Sequence, residues 1–136
     1  MIEQRLPAPT KLVEITIDGA PVEVPSTGTL LEACERVGAD VPTLCYLETL
    51  APINSCRACV VEVEGSRTLV PACSREVAEG MVVHTDSPRV QQARRTVYEL
   101  LASAVDLSLA EPETKRQMER YGVDPARYDP DGTAWR

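Results

Sequence analysis

The sequence contains no phenylalanine and one tryptophan, and aromatic residues fill only 4% of its 136 positions. Its core must therefore be aliphatic, carried by valine and leucine. No run reaches the roughly 18 apolar residues that a membrane-spanning helix needs. The opening residues, Met1-Ile2-Glu3-Gln4-Arg5-Leu6-Pro7, lack the basic start and apolar run of a secretory signal. The expected location is therefore cytoplasmic, where clustered cysteines point to metal or redox chemistry before disulfides. There is one histidine, His84. A Rieske-type centre needs two, and no Cys/His/Asn arrangement for thiol catalysis is in view. Internal repeats and low-complexity tracts are also missing.

What the chain does have is negative charge and five cysteines. Residues 10–86 carry 12 acidic and 5 basic side chains, a balance of −7, whereas residues 87–136 carry 8 of each. The excess lies wholly on the cysteine-containing part. Phosphates repel such a face, which argues against nucleic acid. It serves solubility, or steers association with a basic protein partner.

Local signals predict a loose arm over 1–9, a compact domain over 10–87 and a helical extension over 88–136. In the domain, Val13, Ile15 and Ile17 alternate with polar residues. Asp18-Gly19 supplies a two-residue turn, and Val22 and Val24 resume the alternation, which reads as a hairpin. Thr29 and Glu32 have capping-box spacing. The helix they open presents Leu30, Cys34 and Val37 on one face and stops at Gly38. Residues 41–58 show neither period, and a loop that long in a compact domain is usually functional. Cys59 to Glu64 reads as a strand, Gly65-Ser66 as a hairpin turn, Thr68-Leu69-Val70 as its return, and Met81 to His84 as a last strand. Ser87-Pro88 then opens a helix whose apolar stripe is Val90, Ala93, Val97, Leu100, Leu101 and Ala104. A second helix runs from near Pro112 to Gly122, with Met118 and Tyr121 inward. Tyr121, Tyr128 and Trp135 are spread along the tail, which is expected to dock on a partner.

Four cysteines fall in or just after the long loop, spaced Cys45-x10-Cys56-x2-Cys59-x13-Cys73. A Cys-x-x-Cys pair sets two thiolates on one side of a turn. A loop also leaves amide N–H groups free to point at sulfur. Four thiolates suit structural zinc too, and spacing alone leaves a zinc-stabilised interaction module open. Zinc ribbons usually supply two such knuckles and this chain has one, so the balance leans to a [2Fe-2S] cluster. Cys34 lies on the apolar helix face and is expected to pack as a small hydrophobe.

Several segments carry a family resemblance. They are Thr29-Leu30-Leu31-Glu32-Ala33-Cys34, Pro42-Thr43-Leu44-Cys45-Tyr46, Ser55-Cys56-Arg57-Ala58-Cys59-Val60-Val61-Glu62-Val63, Leu69-Val70-Pro71-Ala72-Cys73 and Gly80-Met81-Val82-Val83-His84-Thr85. With them, the stretch from Val13 to Leu101 resembles the [2Fe-2S] domain at the start of the large peripheral subunit of complex I. It is equally similar to the same domain of NAD-linked formate dehydrogenases and NAD-reducing hydrogenases. The resemblance implies an α+β, β-grasp (2Fe-2S ferredoxin-like) fold, a mixed sheet crossed by one helix with a helical C-terminal extension. It implies that Cys45 and Cys56 hold one iron of a [2Fe-2S] cluster, and Cys59 and Cys73 the other. It further implies a one-electron carrier, not itself an enzyme, linking a flavin/NADH-oxidising subunit to a catalytic oxidoreductase partner. A free-standing soluble ferredoxin is the nearest alternative. Two departures stand out. Asn54 takes a position that is often glycine, and Asn tolerates positive φ. No cysteine or histidine follows His84, so the further cluster motif of the long relatives is missing and one cluster is expected.

Overall fold

The computed structural model describes residues 10–133; the expected arm over 1–9 and Trp135 lie outside them. Alternating apolar residues build the first hairpin, β1 (Leu12–Ile17) against β2 (Ala20–Pro25). Val13 pairs with Val24 and Ile15 with Val22. The turn needs two residues with positive φ, supplied by Asp18 (49°) and Gly19 (84°). The Asp18 carboxylate accepts from the backbone N–H and hydroxyl of Thr85, tying the turn to the chain just past the strand that neighbours β1.

Helix α1 (Leu30–Arg36) begins where the Thr29 side chain accepts the Glu32 N–H, and Gly38 follows it with φ 72°. Leu30, Leu31, Ala33 and Cys34 are buried against Val13, Ile15, Ile17, Val61, Val63 and Val83 of the sheet. Val37 departs from the expected face. The helix stops at Arg36, and the capping residue turns outward and is exposed.

β3 (Val60–Val63), β4 (Val70–Pro71) and β5 (Val82–His84) complete one mixed sheet of order β2-β1-β5-β3-β4. β5 runs parallel to β1, with Ile17 opposite Val83. The return from Gly65-Ser66 is shorter than the sequence implies. Only Val70 and Pro71 pair with β3, opposite Val61 and Val60. Glu62 and Val63 pair with β5 across the other edge of β3, and residues 64–69 join β3 to β4 as a loop, not a two-residue turn.

Helix α2 (Pro88–Ala104) starts at Ser87, whose side chain accepts from the Val90 N–H. Its buried face is Val90, Arg94, Tyr98, Glu99 and Ala102, while Leu100 is 51% exposed. The helix is thus rotated from the all-apolar stripe, because two buried charged residues find partners inside. A 3₁₀ turn (Leu107–Leu109) leads to helix α3 (Pro112–Arg120). Tyr98, Ala102, Met118 and Tyr121 form a second small core. Met118 and Tyr121 therefore face inward, as the apolar side of α3 predicts. Asp40, just after α1, holds α3: it accepts from Arg116, Gln117 and Arg120. Among the described residues no helix is long and apolar enough to cross a membrane.

Candidate metal centre

Three segments carry the four loop cysteines. Cys45 lies in the loop after α1, Cys56 and Cys59 flank the turn into β3, and Cys73 sits in the turn after β4. The Ala72 N–H donates to the Cys59 carbonyl at 3.2 Å, joining the last two turns. The first turn of α1 has N–H groups with no intrahelical acceptor. Leu30 and Leu31 donate theirs to the carbonyls of Arg75 and Ala72, on either side of Cys73. The helix that forms the core thereby also fixes the Cys73 turn.

The outer loop is built differently. Asn54 (φ 52°) and Arg57 (φ 62°) both adopt the left-handed region around Cys56, and the Arg57 guanidinium donates to Asn54 Oδ1. Left-handed backbone at a non-glycine residue costs about 1–3 kcal/mol. With the loop in this shape, the Cys56 N–H donates to Cys45 Sγ and the Ala58 N–H to Cys56 Sγ, both at 3.4 Å.

The thiols come together in two pairs. Cys45 interacts with Cys56, and Cys73 with Cys59, with the charges of Cys45 and Cys56 still felt at Cys73. Cys59 and Cys73 are buried, whereas Cys45 and Cys56 are half-buried. Burial, then the adjacent Cys59 thiol, push the Cys73 thiol up to about 12. At Cys45 burial also opposes ionisation, but N–H donors from Cys56 and Ser55 outweigh it and the thiol moves down. Crowded thiols of this kind ionise together only when a cation joins them. Among the described residues no three His, Cys, Asp or Glu side chains converge as ligands of a single ion. Two sulfur pairs with no carboxylate or imidazole among them match the donor set of a two-iron group.

Behind Cys59 lies a residue that apolar periodicity passed over. Arg94 is fully buried. Its Nε donates to the Ala58 carbonyl at 3.2 Å, Nη2 to the Val60 carbonyl at 3.0 Å, and Nη1 to Tyr121 Oη at 2.8 Å. Spacing could have found it, since Arg94 lies four residues from both Val90 and Tyr98. Cys34 stays out of the site: it is fully buried among the residues under α1, and burial, then the Asp18 charge, push its thiol up to about 11. His84 is on the surface, bonded to Glu64 at 3.0 Å. Tyr46, beside Cys45, packs its ring on the main core.

Comparison with known proteins identifies the family of the chain. Residues 10–88 match a family model described as a 2Fe-2S iron-sulfur cluster binding domain. The NADP-reducing hydrogenase subunit HndD of Solidesulfovibrio fructosivorans is 46% identical over 129 residues, covering 87% of this chain and 22% of that protein. The mitochondrial NADH dehydrogenase [ubiquinone] iron-sulfur protein 1 of Solanum tuberosum is 42% identical over 129 residues, covering 90% of this chain and 18% of its own length. The chain thus spans less than a quarter of these relatives. Among solved structures, an NAD+-reducing [NiFe]-hydrogenase superposes with a TM-score of 0.73 at 25% identity, covering 88% of this chain and 53% of the hydrogenase chain.

Proposed function

Since the chain belongs to the 2Fe-2S iron–sulfur cluster-binding family, we propose that Cys45, Cys56, Cys59 and Cys73 hold a single [2Fe-2S] cluster, and that the protein relays electrons between a flavin/NAD(H) module and a catalytic oxidoreductase partner. The observation that carries this reading is that the loops set Cys45 beside Cys56, through the Cys56 N–H on Cys45 Sγ, and the Cys73 turn beside Cys59, through the Ala72 N–H on the Cys59 carbonyl. When bound, the cluster supplies reversible one-electron chemistry without transforming a substrate.

The chain's own residues do the rest. The Cys56 and Ala58 N–H groups point at sulfur and stabilise negative charge there. The Ala72 bond to Cys59 and the α1 amides hold the inner turns in register. Ala58, Cys59, Ala72 and Cys73 are buried and keep water from the inner pair. On the outer side Leu47, Leu50 and Ile53 stand exposed on the ligand loop, an apolar surface on which an electron-exchanging partner can seat.

The test is electron paramagnetic resonance of the dithionite-reduced protein, together with iron, sulfide and zinc analysis. One spin-half signal per chain, with two irons and two labile sulfides, is expected. Stoichiometric zinc without iron would overturn the reading. Serine at any of the four cysteines should impair cluster retention.

A further inference from the structure

We infer that Arg94 is the cluster's internal counter-charge, a positioning residue that raises the reduction potential by holding a permanent positive charge behind Cys59. The inference rests on the four-cysteine reading above.

Arg94 is a fully buried cation whose hydrogen-bond partners are the neutral oxygens of Ala58, Val60 and Tyr121. No ion pair to it occurs among the described residues. The neighbouring buried carboxylate, Glu99, turns instead toward Arg95 at 3.6 Å and Arg127 at 3.3 Å. A guanidinium taken out of water without a carboxylate is costly, because carbonyl dipoles offset only part of the lost hydration. A purely structural need to tie two carbonyls would be met with a smaller desolvation penalty by a neutral donor. The position of the charge explains its retention. Ala58 and Val60 are the residues immediately before and after Cys59, so the guanidinium bonds the backbone on both sides of one inner thiol. The four thiolates give the bound group net negative charge, and an arriving electron adds one more. No bond forms or breaks in that step and no proton is required. A fixed cation in a dry site therefore stabilises the reduced form more than the oxidised one. Because the charge is buried, salt screens it little.

The experiment is a redox titration of the cluster-loaded full chain with dithionite as the one-electron reductant, followed by absorbance and paramagnetic resonance. Arg94→Lys keeps the charge but loses the fork of donors. Arg94→Gln keeps donors but loses the charge. Arg94→Gln is expected to shift the one-electron equilibrium toward the oxidised form at least tenfold, equivalent to about 59 mV. Arg94→Lys should stay within about threefold of wild type. A wild-type potential in Arg94→Gln, or an equal fall in both variants, would overturn the inference. If Arg94→Gln does not retain the cluster, Tyr121→Phe gives the answer. It removes one neutral hydrogen-bond partner and leaves the buried charge in place, so the potential should stay within about threefold of wild type, and a shift of about tenfold toward the oxidised form would overturn the role. Absence of a spin-half signal from the wild-type chain would instead defeat the four-cysteine reading itself.

Discussion

At the scale of single residues, the five cysteines divide by what surrounds the sulfur. Cys34 lies within the aliphatic core and its thiol is pushed up to about 11, so it stays protonated at neutral pH. Cys34→Ser should retain the cluster while losing about 1–3 kcal/mol of stability, the cost of a buried hydroxyl without a partner. Denaturant unfolding followed by cluster absorbance measures both. Arg57 is the opposite case. Its left-handed backbone is strained, and its side chain reaches Asn54 across the exposed loop. Arg57→Gly should raise stability by about 1 kcal/mol with the visible spectrum unchanged, whereas Arg57→Val should lower it.

At the scale of elements, the legible parts were those specified locally. Asp18-Gly19 announces its turn, Thr29 with Glu32 announces α1, and Ser87-Pro88 announces α2, because each motif satisfies its own backbone. The face of α2 was not legible. Apolar periodicity counts Arg94 and Glu99 as outward, and only the carbonyls of Ala58 and Val60, more than 30 residues away, make burial of Arg94 possible. The length of β4 was not legible either: only Val70 and Pro71 reach β3, on the edge opposite the one that pairs with β5. Cysteine spacing pointed to the site, but not to how deeply each thiol lies. Two tests belong to the extension. Glu99→Gln removes the charge that pairs with Arg127 and Arg95 and should cost about 3 kcal/mol, read by thermal or urea unfolding. The Glu113 carboxyl is held down to about 2 by Arg116 and then Gln117, against an ordinary 4.5. A depressed carboxyl stabilises the folded form fully above about pH 4.5 and loses that contribution as pH falls toward 2. Protection factors of the α3 amides, corrected for intrinsic exchange, should therefore fall across that range, and Glu113→Gln should flatten the dependence.

At the scale of the whole molecule, the charge asymmetry of the sequence is partly met across the fold, where Arg89, Arg116 and Arg120 of the extension pair with Glu62, Asp40 and Asp86. The residues that build the sheet and the site carry the excess of −7, while the α2–α3 extension is balanced. Electron exchange with a basic redox partner should slow as ionic strength rises, measured by stopped-flow at several salt concentrations. A rate indifferent to salt would place the exchange surface on the neutral side.

The two halves of the thiol site also differ in how they come into being. The turn bearing Cys73 hangs from the first amides of α1, and its neighbour Ala72 is bonded to Cys59, so that half is finished when the core is finished. The half bearing Cys45 and Cys56 is a strained loop closed by N–H groups on sulfur. Maturation of the protein should follow that division. On the proposed four-cysteine reading, the freshly folded chain would present the Cys59 and Cys73 side preformed, while the Cys45 and Cys56 side would rest on the strained loop alone.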